Sequence, residues 1–221
     1  MVKSTELKKQ DVIDELTWDS KVDASQIQVK VEDGVVTLSG TVRSYSERID
    51  AERDAWSVRG VKDVKNDIEI NLTKGVTYPD DKVLQRRIEN ILIWDQTFDS
   101  LRISVAIKDG LVTLKGAVDR FWKIRYAINK IKGISGVKGI DNQLAVVPKK
   151  KMSDEMIAKA VMDSITRKSL ISTEDITVKV KDGVVSLYGT VPTWNAWRQA
   201  HISAENTGGV LGIDDSIMIA S

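Results

Sequence analysis

Residues 28–42 read QVKVEDGVVTLSGTV, and near copies return as SVAIKDGLVTLKGAV at 104–118 and VKVKDGVVSLYGTV at 178–191. Asp-Gly between two alternating runs predicts a β-hairpin, because a type I′ turn needs positive φ at both central residues and glycine adopts it without steric cost. Counting outward from Asp33-Gly34 sets Val31 opposite Val36, Val29 opposite Leu38 and Ile27 opposite Gly40. Side chains alternate along a strand, so these residues share one face, and Gln28, Lys30, Glu32, Thr37 and Ser39 share the other. One face is dry and one is wet. The second copy sets Ile103, Val105 and Ile107 against Gly116, Leu114 and Val112, and the third sets Ile176, Val178 and Val180 against Gly189, Leu187 and Val185. Glycine at 40, 116 and 189 points to a bulge or to a close helix approach.

Working outward, each hairpin is framed by helical patterns. Leu7, Val12, Ile13 and Leu16 make an apolar stripe over residues 4–18, with Ser4 as the expected N-cap. Its counterparts start at Asp80 and Ser153, both capping residues, and the polar stretch 73–78 with Pro79 marks the first linker. A second helix is predicted over 44–59, closed by Gly60 in a left-handed C′ conformation, with copies closing at Gly136 and Gly209. Ala51, Ala127 and Ala200 fall in one column and would let this helix sit close to the sheet. A third strand, over 64–72, alternates Val64, Ile68 and Ile70. A strand–helix–strand crossover is right-handed, which predicts a third strand parallel to the second and both helices on the dry face. The fold class is therefore α+β: three tandem αββαβ domains, at 1–73, 80–147 and 152–221, each a three-stranded mixed sheet with two helices on one face. The wet face is left to solvent or to a neighbouring copy.

Composition narrows the chemistry. The 221 residues contain no cysteine, which excludes disulfides and thiolate catalysis, and a single histidine, His201, around which any metal site or Ser-His-Asp triad would have to be built. A lone histidine on a helix flank is more simply a tolerated side chain. The Asp-Gly pairs are turns rather than acid–base carboxylates. Gly133, Gly136 and Gly139 fall where a helix ends, with no Lys-Ser/Thr after them, so they make no phosphate loop. No catalytic residue, metal site or cofactor is expected. No run is apolar enough for a signal peptide or a membrane span, which predicts a cytoplasmic protein, or a periplasmic one if a leader has been removed.

The αββαβ order, the hairpin V-x-DG-x-V-x-L-x-G and the later GV-x-x-V with an Asn before the last strand resemble the BON domain, named for bacterial osmotic-stress and nodulation proteins. The resemblance spans nearly the whole chain. It implies a non-catalytic domain that binds phospholipid or other envelope components in osmotic stress, and it also raises cation sensing, for which no carboxylate cluster marks a site.

Charge singles out the middle copy. Lys and Arg number 11 against 15 Asp and Glu in 1–73, 12 against 8 in 80–147, and 6 against 9 in 152–221. On a helix over 120–134, Ile124, Ala127, Ile128 and Ile131 face inward, leaving Trp122, Tyr126 and Asn129 outward between Arg125 and Lys132 on one side and Lys123 and Lys130 on the other. Such a face suits the headgroup layer of an anionic membrane, aided by Lys149, Lys150 and Lys151. The competing reading is that Trp122 and Tyr126 pack against a neighbouring copy or a second subunit, making the protein an interaction or chaperone-like scaffold. Nucleic acid is not an expected partner. Trp18 and Trp94, at matching helix ends, read as core or edge packing. Tyr45, Phe121 and Trp194 align at the start of the second helix, where an aromatic would cover the sheet end. Trp56 and Trp197, unmatched in the other copies, are candidates to cover a contact between domains.

Overall fold

The computed structural model describes residues 5–71, 77–98, 103–168 and 176–220. Among them three repeats of one unit follow each other. The first comprises α1 (Thr5–Trp18), β1 (Ile27–Glu32), β2 (Val35–Val42), α2 (Tyr45–Ser57) and β3 (Asp63–Ile70). The second comprises α3 (Asp81–Ile93), β4 (Ile103–Lys108), β5 (Leu111–Val118), α4 (Trp122–Ile131) and β6 (Gly139–Val146). The third comprises α5 (Asp154–Thr166), β7 (Ile176–Lys181), β8 (Val184–Val191), α6 (Trp194–Asn206) and β9 (Gly212–Ile219).

The hairpin register is the one that counting from Asp-Gly predicts: Val31 pairs with Val36, Val29 with Leu38 and Ile27 with Gly40, and the other two copies follow suit. Asp33, Asp109 and Asp182 adopt φ near +50°, as a type I′ turn demands. The third strand runs parallel to the second in every sheet, so each sheet is mixed with the second strand central. Both helices cover the dry face: Val12 and Leu16 of α1 and Ala51 and Ala55 of α2 join Val36, Leu38 and Ile68 in one core. Ala51, Ala127 and Ala200 are each fully buried, which is the close approach their small side chains permit.

Asp80 and Ser153 cap as expected, accepting from the amides of Val83 (2.8 Å) and Met156 (3.4 Å); Ser4 and Leu72 lie outside the described residues. Of the two causes expected for the recurrent glycine of the second strand, the bulge is absent and the close approach is made by a short 3-10 turn rather than by either long helix. Gly40 is paired on both sides, so there is no bulge, and what approaches it is the backbone of Gln26, the last residue of a 3-10 turn at Ala24–Gln26. Gly40 sits at φ +110°, and a Cβ there would come within 2.0 Å of the Gln26 carbonyl oxygen. Trp18 and Trp94 are also not packed: they are 86% and 83% exposed. The inward stripe of each helix ends at Leu16 and Leu92, and two further residues turn the side chain by about 200° to the opposite side.

Each repeat has its own buried core, yet the repeats interlock. Tyr45 of the first packs on the core of the second, and Phe121 of the second packs on the core of the third. These aligned aromatics cover the sheet and helices of the next repeat rather than their own. The second helices meet in turn: Lys132 of α4 reaches Asp50 of α2, Arg125 of α4 reaches Glu205 of α6, and α6 touches α2. The second helices of the three units therefore all meet one another, with Lys132 and Glu205, which align, each entering an ion pair with another repeat.

Candidate functional site

The predicted basic-aromatic face is carried by α4. This helix starts at Trp122 and ends at Ile131, shorter than the 120–134 expected. Where Ser44 and Thr193 cap the sister helices, the aligned residue is Arg120, which has no acceptor to offer. Phe121, the residue before α4, is already helical and makes no capping hydrogen bond. Inward, Ala127 and Ile131 are fully buried and Ile124 packs on the core of the repeat.

Tyr126 does not point outward. It is half-buried against that core, 5.6 Å from the Phe98 ring, and its hydroxyl donates to Asp95 Oδ2 at 3.0 Å. Trp122 is half-buried and meets Tyr126 edge-on at 5.7 Å. Rotation by 100° per residue set Tyr126 outward, but a long ring on a helix edge lowers its free energy by leaning back onto the apolar surface while its hydroxyl finds a carboxylate.

The four flanking cations are all paired. Lys123 Nζ lies 2.6 Å from Asp119 and donates to the Thr97 carbonyl at 2.5 Å, and Lys130 lies 3.0 Å from Asp95 and over the Tyr126 ring. Arg125 and Lys132 reach other repeats: Arg125 Nε is 2.8 Å from Glu205, and Lys132 Nζ is 3.3 Å from Asp50. Asp119 carries an i, i+4 signal with Lys123 that the sequence displays; Asp95, Glu205 and Asp50 are remote in sequence and leave no local trace.

The titration of these carboxyls follows their surroundings. Hydrogen bonds from the Thr97 hydroxyl and amide, then from Lys130 and Tyr126, hold Asp95 well below the usual carboxylate range. Lys123 does the same for Asp119. Burial raises Glu205, against the opposing charges of Arg125, His201 and Arg198. A carboxyl screened from water at the junction of two repeats needs its cation to stay ionised.

The linker lysines are placed differently. Lys149, with an 85% exposed side chain, stands 3.7 Å from Asp119. Lys150 and Lys151 are exposed, and neither has a carboxylate partner among the described residues. Lys149 and Lys150 line a cleft of about 150 Å³ with Arg120, Asp119, Met152 and Gly209. Sequence reasoning thus named two groups that meet at Asp119, approached by both Lys123 and Lys149, but differ in exposure: an α4 face engaged within the molecule, and a linker run exposed to solvent. His201 Nε2 lies 3.1 Å from Asp215, off the line of a hydrogen bond, with its ring 4.2 Å from Trp197. Among the described residues no group of three His, Asp or Glu is placed to hold a metal ion, and no helix is long and apolar enough to cross a membrane.

Comparison with known proteins follows the three repeats. The family model of the BON domain matches residues 6–71, 80–148 and 153–221. Osmotically-inducible protein Y of Escherichia coli K12 is 31% identical over 126 residues, an alignment covering 56% of this chain and 63% of that relative. An uncharacterized protein encoded in the gshII 5′ region of Anaplasma centrale is 31% identical over 119 residues, covering 52% of this chain and 78% of its own. A solved structure of CdsD, a structural protein of the type III secretion system of Chlamydia trachomatis, is 12% identical, covers 96% of this chain and 91% of its own, and has a TM-score of 0.27. That likeness is too slight to bear on fold or function.

Proposed function

This chain belongs to the BON domain family, and from that premise we propose that it is a non-catalytic binding module of the osmotic-stress response that meets anionic phospholipid surfaces. The osmotic setting is supported by the likeness to the osmotically-inducible protein of Escherichia coli. The observation that carries the binding is the contrast between the two basic groups. On α4 each cation rests on a carboxylate, which cancels its local field. Lys150 and Lys151 are instead exposed with no carboxylate partner among the described residues, and Lys149, its side chain 85% exposed, stands only at 3.7 Å from Asp119. Each basic residue near an anionic surface contributes on the order of 1 kcal/mol, so this run gives weak, reversible and salt-sensitive attachment. Co-sedimentation with phosphatidylglycerol vesicles at low salt tests it. Lys149→Glu/Lys150→Glu/Lys151→Glu abolishes binding, neutral vesicles never bind, and absence of wild-type binding at low salt ends the reading.

A second reading, association with another copy of the chain, is favoured by Trp18 and Trp94, whose rings are 86% and 83% exposed. Exposed tryptophans are common anchors of protein interfaces. Light scattering should then show a species heavier than one chain that Trp18→Ala/Trp94→Ala dissolves; a monomer at every concentration removes this reading.

A further inference from the structure

Three of the six tryptophans, Trp56, Trp194 and Trp197, converge on one cleft of about 490 Å³ where the third repeat meets the first. A comparison of aligned positions shows what is particular to this junction. Trp56, Lys132 and Glu205 occupy one column of the second helices, and Asp50, Tyr126 and Gln199 another. At two junctions the first column supplies an ion-pair partner: Lys132 to Asp50, and Glu205 to Arg125. At the third it supplies the uncharged indole of Trp56, which lines the cleft instead. Tyr45 and Phe121 are packed on the core of the next repeat, but their counterpart Trp194 lines the open cleft instead. It lies nearly parallel to Trp197, at 6.5 Å between centroids.

The rest of the lining sets the chemistry. Ile217 and Ile219 continue the apolar wall, and Lys62 is the cation of the lining. Lys62 is exposed with no carboxylate partner among the described residues, and Arg198 stands 5.1 Å from the Trp194 ring. The one carboxylate of the lining, Asp215, is turned to its own repeat, accepting from Trp197 Nε1 at 2.7 Å with His201 Nε2 at 3.1 Å. A concave apolar site with a few polar groups at its edge is the usual form of a small-molecule pocket.

We infer that this cleft binds an amphipathic carboxylate, its hydrocarbon body against Trp56, Trp194 and Ile217 and its single negative charge at Lys62. This site is separate from the linker lysines and does not depend on attachment to vesicles. The test is titration of the full chain with dodecanoate below its micelle concentration, read by tryptophan fluorescence and calorimetry. Saturable one-to-one binding is expected. Lys62→Glu should weaken it by about tenfold, since the ligand loses a charge-assisted contact, and Lys62→Arg should keep it. Trp194→Ala, at the helix start and outside the core, should weaken it to a similar degree. Dodecyltrimethylammonium, with the same tail and opposite charge, should not compete. Equal binding of the two amphiphiles, indifference to Lys62→Glu and Trp194→Ala, or no saturable binding by dodecanoate would each overturn the inference, whatever the outcome with vesicles.

Discussion

At the scale of single residues, backbone geometry and burial make opposite predictions for similar changes. Gly40→Ala forces a Cβ into the Gln26 carbonyl at φ +110°, so it should cost about 3 kcal/mol or more in chemical denaturation. Gly133→Ala meets nothing within 4 Å and has no positive φ, and should be neutral or stabilising by about 0.5 kcal/mol. Asp54 supplies the pH dependence. Burial, with the charge of Asp19, outweighs the pull of Arg53 and raises its carboxyl to about 6 from 3.8. Between those values the folded chain binds more protons than the unfolded one. The contribution of Asp54 is therefore most favourable below about pH 4 and is lost as pH rises through about 6. Asp54→Asn keeps an acceptor for Arg53 and removes the buried charge, so thermal melting at pH 7 should rise, and the gain should vanish near pH 4. Asp19, Asp95 and Asp119, whose carboxyls are lowered, act the other way: their contribution is lost as pH falls through their folded values.

At the scale of the element, caps decide where helices begin. α2 opens with a reciprocal arrangement: Ser44 Oγ accepts from the Glu47 amide, and the Glu47 carboxylate accepts from the amides of Arg43 (2.9 Å) and Asp23 (2.7 Å). Glu47 is only 8% exposed, so Glu47→Ala strands two amides and should cost about 2 kcal/mol or more, measured by urea unfolding. α4 has no such start, because Arg120 replaces the capping residue. Arg120→Ser should stabilise the chain by about 1 kcal/mol, with slower amide exchange in the first turn of α4. Both features are written locally, Ser44 with Glu47 three residues on, and Arg120 in the same column, and were open to a reader of the sequence. The hairpin register was legible for the same reason: a two-residue turn leaves the strands one way to pair. The helix edge was not, because whether Tyr126 leans inward depends on Phe98 and Asp95, about thirty residues away.

At the scale of the whole molecule, junction charges tie the repeats together. Arg125→Glu should loosen the contact between the second and third repeats, speeding proteolysis near residues 147–153, and Arg125→Glu/Glu205→Arg should restore resistance because the pair is rebuilt with its signs exchanged. Lys132→Asp/Asp50→Lys makes the same test at the other closed junction. Stability in high salt should fall only modestly, since Asp50 and Glu205 are largely shielded from solvent and screening acts mainly on exposed charge. The basic surplus of the middle repeat thus has a partner inside the chain: the acidic repeats on either side of it.

Local chemistry sufficed for everything that repeats. Asp-Gly, the alternation around it, the buried alanine column and the terminal glycines specify the αββαβ unit three times, because turns, strand faces and helix stripes depend on residues within a few positions of one another. What α4 does was decided elsewhere. Its cations look alike in sequence, and only the docking of the repeats against one another set Arg125 and Lys132 on the carboxylates of other repeats. The same docking left Trp56, Trp194 and Trp197 facing a cleft, since at that one junction an indole stands where its counterparts bring a charge.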